Sequence, residues 1–160
     1  MFWLFVYGSL KPGECNFDQV ERFLERARPA QGPGRLFLRP DGYPALWLGD
    51  ACAPLGPGEP DRDLLQGGKR VEPGVGDVSG SLLELEPSAL GRLDRFEGYR
   101  PGRSSEYLRV LVAVWLPDEQ DWLEAWTYVC AEPDPAWPQI DVWPPEGSQK
   151  PAPYRPQSSR

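Results

Sequence analysis

Residues 2–7, FWLFVY, form an unbroken apolar run that stops at Gly8. A short aromatic and β-branched run ended by glycine predicts a buried first strand. In DQVERFLERA (18–27), Val20, Phe23, Leu24 and Ala27 recur at helical spacing, with Asp18 near the start and Pro29 beyond the end. That pattern predicts a helix. GRLFLR (34–39) and PALWL (44–48) flank Pro40-Asp41-Gly42-Tyr43, a turn signal, and predict a hairpin. VSGSLLEL (78–85) predicts a further strand. PSALGRLDRFE (87–97) predicts a short helix, with Pro87 in its first turn and Gly98 placed to stop it. EYLRVLVAVWL (106–116) and WLEAWTYVC (122–130) predict a second hairpin around Pro117–Gln120.

Two stretches break this periodicity. Residues 49–77 are rich in glycine and proline and read as one long flexible excursion. From Glu132 onward prolines and polar residues dominate, with Trp137 and Trp143 interspersed. The chain is therefore divided into a domain at 1–131 and a Pro/Trp-rich tail at 132–160. The tail reads as a wrap anchored by its tryptophans in surface grooves, with contact to a protein partner as the sharper alternative. The order of elements predicts a mixed α+β domain built on a sheet that curls or closes.

Composition narrows the chemistry. The length of 160 residues suits one domain with a real core. A formal charge of −7 argues against a nucleic-acid groove. There is no histidine, which removes the commonest general base and every Ser-His or Cys-His nucleophile system. Cys15, Cys52 and Cys130 are scattered and odd in number, fitting neither a disulfide framework nor a zinc site. No metal or other cofactor is expected. Reduced thiols, the lack of an 18-residue apolar run and the lack of a basic N-terminal leader predict a cytoplasmic protein without a membrane partner.

Two places could still carry chemistry. In the helix at 87–97, Ala89, Leu90, Leu93 and Phe96 form the apolar stripe. Glu97 follows Leu93 by four and Leu90 by seven, so it falls on that stripe at the helix end. Burial there, and the negative end of the helix, both raise a carboxyl pKa toward the range useful for a general base. Asp94 lies off the centre of the stripe. The structural alternative is an ion pair with Arg92, Arg100 or Arg103, or a frayed end. The second place is FVYGSLKPGECN (5–16), a glycine turn after a strand that could present backbone N–H groups to an anion. It carries neither the P-loop nor the dinucleotide-binding pattern. It could equally be two simple turns.

Taken together, FVYGSLKPGECN, GYPALWLG (42–49), LDRFEGY (93–99), YLRVLVAV (107–114) and AWTYV (125–129) occur in an order that resembles the gamma-glutamylcyclotransferase-like superfamily. The resemblance is greatest to its AIG2-like and gamma-glutamylamine cyclotransferase branch and covers about residues 2–130. It implies a small mixed β-barrel with flanking short helices. It implies that Tyr7, Gly8, Ser9 and Leu10 line a substrate site, with Glu97 as catalytic acid/base. Tyr107 is expected to reach the cavity, and Tyr43 and Pro44 to form a wall. The implied substrate is a small gamma-glutamyl compound, cyclised to 5-oxoproline with release of an amine or amino acid. The alternative is a non-catalytic member of the fold that binds a small carboxylate or a partner. The chain departs from many relatives in carrying Phe17 where they have a histidine after the residue matching Asn16, and in the length of the 49–77 excursion.

Overall fold

The computed structural model describes residues 1–49, 70–71, 78–99, 107–130, 132–148 and 150–152, with backbone pairing alone described at 70–71. In chain order the strands are β1 (Phe2–Val6), β2 (Leu24–Gly32), β3 (Arg35–Leu38), β4 (Pro44–Trp47), β5 (Arg70–Val71), β6 (Val78–Leu85), β7 (Tyr107–Leu116), β8 (Asp121–Cys130) and β9 (Gln139–Ile140). One α-helix, α1 (Ala89–Glu97), lies between β6 and β7.

β1 is apolar along most of its length because both of its faces are buried, and strands flank both its edges. It pairs antiparallel with β6, from Phe2↔Leu85 to Val6↔Ser81, and parallel with β8 at Leu4↔Trp126. β8 pairs with β7 over ten positions, from Tyr107↔Cys130 to Leu116↔Asp121. β2 runs along the other edge of β6, and Gln31↔Trp115 joins it to β7. The order β2-β6-β1-β8-β7 thus returns to β2 and closes a five-stranded mixed barrel. Closure removes the sheet edges that would otherwise stay open to pairing. Leu4, Leu82, Leu83, Val110 and Val129, from both faces of the barrel wall, are fully buried.

The helix expected at 18–27 does not form. Phe17–Gln19 and Glu21–Phe23 make two single 3-10 turns, and the chain then extends into β2. The turns bury Val20, but Ala27 is exposed and Leu24 half-buried, so the helical spacing marks no common face. Extended, residues 24–32 pair with β6 down its full length. That pairing satisfies the backbone groups of both strands, which local spacing cannot foresee.

The remaining elements match their expectation closely. β3 and β4 form the first hairpin and β7 and β8 the second. α1 stops at Gly98, which adopts φ 70° and closes the last turn by donating its N–H to Arg95 O (3.2 Å). Most of the 49–77 excursion lies outside the described residues. Within it Arg70–Val71 is a strand, not loop, and adds to β7 in parallel through Arg70↔Leu111 and Val71↔Val112.

The segment after Glu132 returns to the domain as a strap. Leu36↔Ile140 and Phe37↔Gln139 make β9 the third strand of a small sheet, β4-β3-β9. Trp143 is 1% exposed, among the largest fully buried side chains. Its indole Nε1 donates to Gly42 O (2.8 Å), and Lys11 Nζ donates to its carbonyl (2.6 Å).

Candidate functional site

β1 ends by delivering Tyr7 and a tightly folded loop. Lys11 N donates to Gly8 O (3.0 Å) and Asn16 N to Ser9 O (2.9 Å). The buried Asn16 side chain also donates through Nδ2 to Ser9 Oγ (2.8 Å). The loop is thus held through the carbonyls of Gly8 and Ser9. Among the described residues, no acceptor is paired with the N–H groups of Gly8, Ser9 or Leu10. Gly8 packs directly on the β4 hairpin, where a Cβ would lie 2.5 Å from Pro44 Cγ. Any larger residue would push the two motifs YGSL and GYPAL apart.

α1 brings Glu97 to the facing wall. Its side chain keeps partial solvent access through the cavity while protein surrounds its other sides. Burial raises its carboxyl from the ordinary value of 4.5 to about 7. The Arg39 guanidinium opposes the rise, and the Asp94 charge adds to it. Arg92, one of the three arginines that could have neutralised it, donates instead to Gln19 Oε1 (3.3 Å). Arg100 and Arg103 lie outside the described residues. Tyr7, Tyr107 and Tyr128 all feel the Glu97 charge, and burial, the largest influence on each, raises their phenol pKa values.

The structure brings Tyr7, Gly8, Ser9, Leu10, Tyr43, Pro44, Glu97 and Tyr107 to the wall of one cavity of about 260 Å3. Tyr7 donates to Tyr128 O (2.5 Å). Tyr107 donates to Pro44 O (3.2 Å) and accepts from Arg39 Nη1 (2.9 Å). Tyr43 stacks on Trp143 (centroids 6.3 Å apart, planes at 12°), and its hydroxyl donates to Ala152 O. The strap therefore braces one wall of the cavity.

Sequence reasoning missed Arg39, Asp41 and Tyr128, which also line the cavity. It also passed over a buried ion pair beneath Glu97. Asp94 accepts from Arg109 Nη1 at 2.8 and 3.1 Å and from Tyr128 OH at 2.6 Å. The Arg109 guanidinium lies over the rings of Tyr99 (5.3 Å) and Trp126 (5.1 Å). A signal was present: Arg109 interrupts an apolar strand, and a charge so placed must find an opposite charge. Arg39 sat unnoticed at the end of a predicted strand, and Asp41 in what read only as a turn. Among the described residues, no group of three or more His, Cys, Asp or Glu side chains is placed to hold a metal ion. Among the same residues, no helix is long and apolar enough to cross a membrane.

A family model described as gamma-glutamyl cyclotransferase, AIG2-like, matches residues 64–147, just over half of the 160. The chain belongs to that family. The matched span includes α1 with Glu97 and the strap as far as Gly147, and begins after the YGSL loop. Three solved structures share the fold. One is the Arabidopsis thaliana protein At5g39720.1, with TM-score 0.54 and 22% identity over 84% of this chain and 72% of that one. A second Arabidopsis thaliana protein, At3g28950.1, gives TM-score 0.53 and 24% identity over 84% and 66% of the two chains. YkqA of Bacillus subtilis gives TM-score 0.53 and 19% identity over 87% of this chain but only 37% of its own. No curated protein matches this chain in sequence.

Proposed function

We propose that this family member is an active gamma-glutamyl cyclotransferase with Glu97 as its general acid/base. The observation that carries the reading is Glu97, a carboxyl held at about 7 in a cavity walled on another side by the Gly8–Leu10 amides. A gamma-glutamyl compound brings its own nucleophile, the α-amine, so no protein side chain needs to attack. Held bent, such a chain has a high effective molarity for ring closure.

The Glu97 carboxylate takes a proton from the α-ammonium, and the amine attacks the carbonyl carbon of the γ-amide. The oxyanion that develops meets backbone N–H groups of the Gly8–Leu10 loop, each donor worth on the order of 3 kcal/mol. Glu97 returns its proton to the leaving nitrogen, and the C–N bond breaks. The second proton of the ring nitrogen follows the same route. The products are 5-oxoproline and an alkylammonium, and no net proton is consumed. A carboxyl pKa near 7 suits both halves of this exchange, and such help is worth roughly 10²–10⁴-fold.

The test is to incubate the protein with gamma-glutamyl amino acids, gamma-glutamyl amines and glutathione and assay 5-oxoproline. No product from any of them rejects the reading and leaves a binding role for the cavity. Glu97→Gln is expected to lower turnover by roughly 10²–10⁴-fold with the fold intact. In the parent, kcat/KM is expected to climb with pH and level off above about 7, since the carboxylate is the active form. Activity retained in the variant removes Glu97 from the mechanism.

A further inference from the structure

We propose that Arg39, fixed by Asp41 and Tyr107, binds the α-carboxylate of the substrate's glutamyl head and makes a free α-carboxylate a condition of entry. This rests on the cyclotransferase reading above. The glutamyl head at neutral pH carries an ammonium and a carboxylate on one carbon. A site that places the ammonium at Glu97 must offer the carboxylate a cation close by. Among the described residues lining the cavity, Arg39 is the only basic side chain.

Its setting fits that task. Nη1 donates to the buried Tyr107 hydroxyl (2.9 Å), which puts the guanidinium at the inner wall. Its charge also reaches Glu97, where it opposes the effect of burial. Nη2 pairs with Asp41 Oδ2 (2.9 Å) on the solvent side. The backbone is pinned as well: Arg39 N donates to Tyr43 O and Gly42 N to Arg39 O, both at 2.9 Å. A guanidinium anchored on two sides loses little further freedom on meeting a carboxylate, and its planar fork suits bidentate contact. With the carboxylate so held, the Gly8–Leu10 amides are left for the γ-carbonyl oxygen. The two anionic oxygens of the reaction then have separate seats.

The experiment compares 5-oxoproline with 2-pyrrolidinone, the same lactam without the carboxylate, by calorimetric titration. Parent protein is expected to prefer 5-oxoproline. Arg39→Met should weaken 5-oxoproline about 10- to 100-fold and leave 2-pyrrolidinone unchanged, while Arg39→Lys keeps part of the preference. A thermal melt of each variant checks the fold. In turnover, parent protein should favour gamma-glutamylalanine over its α-carboxamide analogue through KM, and Arg39→Met should erase that ratio. An Arg39→Met protein that keeps either preference overturns the inference, as does a parent that binds neither lactam. A parent that makes no 5-oxoproline yet binds it through Arg39 overturns the cyclotransferase reading alone.

Discussion

Two carboxylates stand three residues apart on α1 and meet opposite fates. Asp94 is sealed under the cavity floor, where Arg109 and Tyr128 together supply three hydrogen bonds. Glu97, one turn on, faces the cavity with its proton affinity raised. The first is a structural charge, stabilised by partners that cannot move away. The second is kept chemically available because burial outweighs the help it receives from Arg39. A single helical turn thus separates an ion-paired carboxylate from one of raised proton affinity, and the charge of the first helps raise the pKa of the second.

The largest expected break in this contrast comes from Arg109→Met. It strands a buried Asp94 and should cost about 3–5 kcal/mol of stability by urea denaturation. Adding Asp94→Asn to that variant should recover part of the loss. No recovery would mean that Arg109 acts through its ring contacts and not its charge. Glu97→Gln should move stability the other way. The folded protein holds the Glu97 proton up to about 7, against 4.5 for the ordinary carboxyl. Between those values the folded state binds more protons, so parent stability falls as pH rises through that window. Glu97→Gln should lack this slope and be more stable than the parent at pH 8 by on the order of 2–3 kcal/mol. Equal slopes in both proteins would show that Glu97 titrates as an ordinary surface acid. The smallest effect is that of Tyr128→Phe, which removes one hydrogen bond to the Asp94 carboxylate. It should cost about 1.5 kcal/mol, read as a lowered Tm.

Glu97 was legible because its distance from Leu90 and Leu93 puts it on an apolar face, a local fact. Gly98 marked the helix end for the same local reason. The strands of both hairpins showed through their apolar runs and intervening turns. What could not be read was non-local. Residues 18–27 look helical in isolation, and only the unpaired edge of β6, some fifty residues away, makes 24–32 a strand. Arg109 was visible as a charge in an apolar run, but its partner Asp94 was not, since it sits on another element. Arg39 read as a strand end and Asp41 as a turn residue, since nothing local says that this end of the hairpin meets Tyr107.

Trp143 gives the strap a consequence in time. Its contacts with Gly42, Lys11 and Tyr43 tie together the two turns that wall the cavity. Every barrel strand, β1, β2, β6, β7 and β8, precedes it in the chain. A nascent chain therefore exposes all the barrel strands before the indole that braces the pocket emerges. Ligand binding during synthesis would lag behind barrel formation, and the last step to a competent site would be the docking of one tryptophan.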